Sequence, residues 1–376
     1  MTAESLGHLL RHTYQAVKLK LPCLCRISVS VYDPSNENLR TFLHHTEGPS
    51  ALQFYQANLA DVPSLQQLAN DASSRVLNDL NLLSQGNAYH SQQLLASGYR
   101  SSYTEPLFSD VKLMGFIFID ATEPNSFTAE MVTDLTIYSQ QIATVISHQL
   151  SMIQVLSGAF NTAQKFSHFH NDETDSHLKR VAQYARLIAK NVALQHGLAD
   201  EDIEYIYRFA PLHDIGKIAI PERILMKPVK LSASEFKVIK THPRKGAEML
   251  QTMIDNFGVG GIHHIGMLQN IITCHHERWD GSGYPHGLNG SLIPIEGRVV
   301  AVADVLDALT SCRPHKPAWP LEVALDYLRQ HAGTQFDPVC VAAILENIDS
   351  VKQIQADHQD TEYWGFQPQQ PLPQGA

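Results

Sequence analysis

Between residues 165 and 350 this chain repeatedly sets histidine or aspartate where the apolar face of a helix would otherwise continue. Leu178, Val181, Ala185, Ile188 and Val192 recur at steps of three and four, the spacing of one buried helical stripe. Ile203, Ile206, Tyr207 and Ala210 do likewise and run straight into His213-Asp214-Ile215-Gly216-Lys217. Leu268, Ile271 and Ile272 lead to the doublet His275-His276, and Val299, Val302, Val305, Leu306 and Leu309 flank Asp304. His242 closes the segment opened by Ser232 and Glu235, whose spacing is that of a capping box. Glu173 and His177, four residues apart, share a helical face. Such groups are costly in apolar surroundings unless paired or coordinated. One buried histidine is commonly a satisfied core residue; eight such groups, each at the edge of an apolar stripe, ask for a common cause.

The eight comprise five histidines, two aspartates and one glutamate, with no thiolate among them. That nitrogen and oxygen set suits iron, manganese or zinc rather than a cysteine-rich structural zinc site. One ion needs only three or four protein ligands, so the set implies at least two ions spanned by a bridging carboxylate. Neighbouring helical residues point about 100° apart, which lets His213 and Asp214 serve adjacent ions. Lys217 lies about one turn further on, in reach of an anion held there. Paired metal ions suit phosphodiester cleavage, because they both activate a nucleophile and neutralise the phosphate.

Composition narrows the setting. A formal net charge of -10 argues against binding a nucleic-acid backbone. Five scattered cysteines, Cys23, Cys25, Cys274, Cys312 and Cys340, suit a reducing compartment better than a disulfide framework. The first seventeen residues are too polar for a signal peptide, and no apolar run approaches the ~20 residues that span a bilayer. The expectation is a cytoplasmic protein without membrane or nucleic-acid partners.

The chain divides into four parts. Residues 1–125 read as an α+β domain. An opening helix carries Leu6, Leu10, Tyr14 and Val17, and Arg26 to Tyr32 alternates as a half-buried strand does. The turn Asp33-Pro34-Ser35-Asn36 leads to a second strand over Leu39–His45, helical stretches follow near 63–84, and two late strands lie at 102–108 and 113–120. Residues 126–164 read as a connector helix, with Met131, Leu135, Tyr138, Ile142 and Val145 at alternating steps of four and three. That is a coiled-coil seam, and it predicts a parallel homodimer. Residues 165–350 form the all-helical domain, closed by a helix with Asp337 as N-cap and Pro338 behind it. Residues 351–376, rich in Gln and Pro, are expected to be a flexible tail.

Two resemblances complete the reading. The N-terminal order of hairpin, helical middle, late strand pair and exit helix resembles a GAF domain in architecture, which implies a sensory module whose ligand the sequence does not name. The segment from His213-Asp214 with Gly216-Lys217 to His275-His276-Glu277-Arg278-Trp279-Asp280-Gly281-Ser282-Gly283-Tyr284-Pro285 resembles the HD-GYP subgroup of the HD phosphohydrolases. The likeness continues through Arg298, Asp304, Asp307, Arg313-Pro314, Lys316 and Gly333 to Asp337. It implies hydrolysis of cyclic di-GMP to pGpG and, in many members, on to GMP, with two or three divalent ions, iron or manganese foremost. By the same resemblance His213, Asp214, His242, His275, His276 and Asp304 are metal ligands, with Asp214 bridging, and Glu173 and His177 hold a third ion. Lys217, Arg313 and Lys316 contact substrate phosphates, Asp214 and Lys217 serve the chemistry, and Tyr284 approaches the nucleotide. Cys312 and His315 depart from the usual pattern beside the phosphate contacts, which leaves open a preference for the hybrid cyclic GMP-AMP dinucleotide. The rival readings are a cyclic-dinucleotide receptor without turnover and another HD hydrolase acting on nucleotides or alarmones. The full ligand set argues against the first and the complete GYP segment against the second.

Overall fold

The computed structural model describes residues 6–48, 52–83, 89–166, 174–227, 229–257, 261–312 and 317–359. Two units emerge, one of Met1–Val155 with Gly261–His263, the other of Leu156–Gly260 with His264–Ala376.

Six strands build the first unit: β1 (Leu24–Asp33), β2 (Asn38–Thr46), β3 (Gln56–Asn58), β4 (Arg75–Leu77), β5 (Ser101–Ser109) and β6 (Lys112–Ala121). They form one sheet in the order β3-β2-β1-β6-β5-β4, every neighbouring pair antiparallel. The β1–β2 hairpin turns where expected, because Asp33 Oδ1 accepts from the amide and hydroxyl of Ser35 at 3.1 and 2.6 Å. Helix α1 (Leu6–Lys20) buries Leu6, Leu10, Tyr14 and Val17, as its spacing predicts. The α+β expectation holds for this unit.

Two expectations need correction. Strand β1 is not half-buried: its first eight residues are buried, Arg26, Ser28 and Ser30 included. It lies inside the sheet between β2 and β6, and the polar Arg26 is tolerated because Asp120 on β6 accepts from its Nη1 at 3.0 Å. The region near 63–84 is not continuously helical either. Helix α2 (Pro63–Asp71) ends at Ala72, whose left-handed backbone (φ 46°) turns the chain into β4, and a 3-10 turn spans Leu80–Leu83. A short α3 (Tyr89–Ala96) follows before β5.

Helix α4 (Ala129–Phe166) is the expected connector, 38 residues long. Its seam differs from the free coiled-coil edge read from the sequence. Leu135 and Ile142 are already buried in a single chain, at 0% and 2% exposure, whereas Val145 is exposed. The first half of α4 packs on its own sheet, where Thr136 Oγ1 meets Tyr103 Oη at 3.1 Å and Ser147 Oγ donates to Ser109 Oγ at 2.8 Å. The apolar positions left exposed are Ile137, Val145 and Val155.

The second unit is helical: α5 (Asp175–His196), α6 (Asp200–Phe209), α7 (Glu222–Leu225), α8 (Ala233–Ile239), α9 (His242–Phe257), α10 (Ile265–Cys274), α11 (Ile295–Thr310), α12 (Leu321–Gln330), α13 (Pro338–Leu345) and α14 (Ile348–Asp357). Val181, Ala185, Ile188 and Val192 of α5 are buried at its centre, with Ile206, Phe209, Ile271, Val299 and Val302. The capping box of Ser232 and Glu235 and the Asp337 N-cap are both formed. His242-Pro243 opens a helix as well as closing the previous segment, since proline suits the first helical turn. The C-terminal tail also starts later than expected. Helix α14 runs to Asp357, anchored by buried Val351 and by Arg180, which donates to His358 O at 2.7 Å; the residues from 360 onward lie outside the described ones. No helix among the described residues is long and apolar enough to cross a membrane.

Candidate metal centre

Each candidate ligand among the described residues sits at the end of, or on the inner face of, a helix of the second unit. His213 and Asp214 lie between two 3-10 turns that follow α6, His242 begins α9, His275 caps α10, and Asp304 faces inward from α11. His177, from the first turn of α5, is buried at 4% exposure. Two clusters result. Asp214, His242, His275 and His276 bring ligand atoms within 4.8 Å of one another, and so do His177, His213 and Asp304. The consecutive pair His213-Asp214 thus feeds both, as neighbouring side chains that diverge are able to do. Between the clusters, His213 Nε2 lies 3.2 Å from Asp214 Oδ2 and 3.8 Å from Asp304 Oδ1.

The histidines are turned the same way. Nδ1 of His213, His242 and His275 lies 2.8, 2.9 and 3.0 Å from the carbonyl oxygens of Ala210, Ile239 and Ile271. Donation from Nδ1 leaves Nε2 as the lone-pair nitrogen, which is how a protein presents imidazole to a metal. Those Nε2 atoms converge: His242 lies 2.9 Å from Asp214 Oδ1, and His275 lies 3.6 Å from it. His177 Nε2 is buried without a hydrogen-bond partner, 4.0 Å from Asp304 Oδ1. Acceptor atoms gathered this closely repel one another unless a cation lies among them. The donor set therefore fits divalent metal ions.

Electrostatics agree. Burial alone would raise the Asp214 carboxyl, but Lys217 and the adjacent imidazoles outweigh it and hold it well below the usual range. Burial pushes the His275 and His276 imidazoles down, the neighbouring His275 adding to the effect at His276. Both are therefore held neutral, as metal binding requires. Lys217 Nζ reaches Asp214 Oδ2 at 2.6 Å. The Tyr284 ring stacks on His276 with centroids 4.8 Å apart, and burial pushes its hydroxyl up. Beside them opens a cavity of about 250 Å³, bordered by His275, His276, Tyr284, Phe236 and Lys240. The ammonium of Lys240 sits 5.0 Å from the ring centres of both Phe236 and Tyr284. Glu173, Arg313 and Lys316 lie outside the described residues.

Residues 170–340 match the HD domain family. That match covers most of the helical unit. A cyclic di-GMP phosphodiesterase response regulator of Xanthomonas campestris is 42% identical over 226 residues, covering 57% of this chain and 57% of that protein. A 3'3'-cGAMP-specific phosphodiesterase of Vibrio cholerae is 39% identical over 188 residues, covering 50% of this chain and 34% of that one. The chain thus spans less than two thirds of the length of these curated relatives. Among solved structures, the GAF domain of a Bacillus halodurans sensor histidine kinase aligns with a TM-score of 0.33 and 21% identity, covering 39% of this chain and 96% of that one.

Three further residues shape the candidate metal centre, and residue chemistry alone did not single them out. Asp307, fully buried on α11, accepts from His177 Nδ1 at 2.7 Å and from Arg180 Nε at 2.5 Å. Burial opposes its ionisation, but His177 and Arg180 hold its carboxyl below the usual range. It orients the His177 ring toward Asp304, and its signal was its place three residues past Asp304 on the same helix. Glu277, next to the histidine doublet, is no ligand: its carboxylate accepts the amides of His286 and Leu288 at 2.7 and 3.1 Å and so ties down the Tyr284 loop. At Gly216 a Cβ would come within 1.9 Å of His242 O, so only glycine lets α9 bring His242 against Asp214.

Proposed function

We propose that this protein is a metal-dependent phosphodiesterase that hydrolyses the phosphodiester bonds of cyclic di-GMP to pGpG, GMP or both. The observation that carries the reading is the pair of ligand clusters fed by one His-Asp dipeptide, bordered by a cavity with aromatic walls. Asp214, His242, His275 and His276 would hold one ion, and His177, His213 and Asp304 another; Glu173 is the proposed ligand for a third. The ions, iron or manganese in this reading, would supply an activated water and charge neutralisation at the scissile phosphate. The chain's own residues do the rest. Asp214, ionised by its surroundings, joins the two clusters. Lys217 is set to exchange its hold on Asp214 for a phosphate oxygen, a charge-assisted hydrogen bond. Arg313 and Lys316 are the further phosphate contacts in the proposal, and Tyr284, fixed over His276, offers a flat face to a nucleobase.

The names of the relatives support both cyclic di-GMP and the hybrid cyclic GMP-AMP dinucleotide as substrates. The two share the phosphodiester chemistry and differ in one base, so the clusters do not discriminate between them. We assign the N-terminal unit, residues 1–125, a regulatory role, and residues 126–164 that of a connector. A homodimer through α4 would use the exposed Ile137, Val145 and Val155 rather than the buried seam positions.

The test is a product assay on both dinucleotides with elemental analysis of the same protein. Turnover that requires iron or manganese and disappears with the ions supports the hydrolase. Intact dinucleotide after long incubation with either metal under reducing conditions would instead identify a receptor.

A further inference from the structure

The N-terminal sheet borders a cavity of about 540 Å³, lined by no residue of the linear motifs. Its wall is mostly apolar, with Leu65, Leu80, Leu94 and Phe118 contributing, the general character of a small-molecule site. Charge is concentrated at one place on that wall. Arg26 from β1 and Asp120 from β6 form a pair at 3.0 Å, only 2% and 1% exposed. Arg75 from β4 joins them with no carboxylate partner among the described residues, and burial disfavours its cation. Asp61, the other carboxylate on the wall, is exposed to solvent. Three buried atoms here lack hydrogen-bond partners: Arg26 Nε, Arg75 Nε and Asp120 Oδ1. Two are donors carrying positive charge and one is a negatively charged acceptor.

A partly buried guanidinium without a counter-charge and buried donors without acceptors are costly unless a ligand satisfies them. The excess charge is one positive unit, so the missing partner is a monoanion. Asp120 Oδ1 asks for a hydrogen-bond donor beside that anion, and the leucine-rich wall asks for an apolar body. We propose that this cavity is a binding site for a small monocarboxylate with an apolar body and a hydroxyl or amino donor next to the carboxylate. The carboxylate bridges Arg75 and Arg26 Nε, and the donor reaches Asp120 Oδ1. The proposal is independent of the reading of the HD domain.

The probe is 3-phenyllactate, titrated into the full chain by calorimetry beside 3-phenylpropionate, 3-phenylpropane-1,2-diol and inorganic phosphate. Phenyllactate is expected to bind once per chain, the propionate more weakly for want of the hydroxyl, and the diol and phosphate not measurably. Arg75→Gln is expected to weaken phenyllactate at least tenfold, and Arg75→Lys to restore part of the loss. Arg26 is left intact because Asp120 depends on it. Absence of saturable binding by either acid overturns the proposal, as does equal affinity of parent and Arg75→Gln. Binding of the diol as tight as that of phenyllactate removes the carboxylate from the assignment, and phosphate binding as tight as phenyllactate removes the apolar body.

Discussion

The two units bury charge in opposite ways. In the N-terminal sheet the buried ions are chiefly guanidinium groups, and Arg26 is matched by a single carboxylate across adjacent strands. At the centre of the helical unit the groups that converge are a buried carboxylate and neutral imidazoles whose acceptor atoms face one another. In the sheet pair Arg26–Asp120 the opposite charges meet directly, and breaking the pair strands one of them. A gathering of acceptors has no opposite charge of its own and needs cations from outside. The sheet asks for one small anion beside a pair already formed; the helical centre is built around what it binds.

The sharpest way to break that contrast is to remove the carboxylate common to the helical centre. Asp214→Ala deletes the anion that faces His242 and His275 and the residue proposed to join both clusters. Bound metal and turnover should fall together, turnover by roughly a thousandfold, since Lewis-acid stabilisation is worth several kcal/mol and each 1.36 kcal/mol is tenfold. Elemental analysis and single-turnover assays on one preparation check it. Full metal content in the variant would mean that Asp214 is a structural partner of Lys217 and no ligand.

A smaller loss is expected from Asp307→Asn, which keeps the shape of the group that orients His177 but removes its charge. Partners of metal ligands typically contribute ten- to a hundred-fold in affinity. Metal titration should therefore show one weakened class of site, that of His177, His213 and Asp304, with the Asp214 class unchanged. Uniform weakening of both classes would show that Asp307 acts through the fold as a whole. Circular dichroism of the metal-free variant separates that outcome from unfolding.

These two residues also show what the sequence made legible. Asp214 stands in a linear motif, and six of its fellow candidate ligands, His177 among them, were singled out by their position at the ends of apolar helical stripes and come together in the two clusters. Asp307 stands in the same helix as Asp304, yet its role depends on α5 approaching α11, which spacing does not encode. Glu277 lies inside the most distinctive segment of the chain and turned out to bind backbone amides. In the sheet, Arg26, Arg75 and Asp120 are far apart in sequence and meet only through strand order, so no pattern announces them. The alternation of β1 suggested a half-buried strand because polarity was taken for exposure; the strand is central, and its polar residues are satisfied or face a cavity. The seam of α4 was read correctly as apolar, but its partner at Leu135 and Ile142 is the chain's own sheet.

Gly216→Ala tests how tightly the helical centre is assembled. The added methyl would meet His242 O and the backbone of Gly246, neither of which can swing aside as a side chain would. Overpacking of this kind typically costs about 1–3 kcal/mol. Urea melts of the metal-free protein should register that loss, and metal binding at the Asp214 class should weaken as His242 retreats. Unchanged stability would mean that α9 moves freely, and the close approach would then not define the site.

The smallest effect belongs to the sheet and concerns His44 on β2. Burial first, and the Arg26 and His45 charges next, push its imidazole down to about 4 from an ordinary 6.5. Between those values the unfolded chain binds a proton that the folded chain refuses, so stability rises with pH across the window. The contribution is complete above about 6.5, is lost as pH falls toward 4, and changes no further below that. The metal-free helical unit slopes in the same direction through His275 and His276, so a single pH profile of the parent cannot separate the two units. Comparison with His44→Gln can, because the variant removes one titration and leaves the others. Urea midpoints at pH 7 and pH 4.5 should differ less in the variant than in the parent, with the remaining slope shared by His45 and the helical centre. An identical pH dependence in both proteins would mean that the His44 ring is hydrated in the folded state.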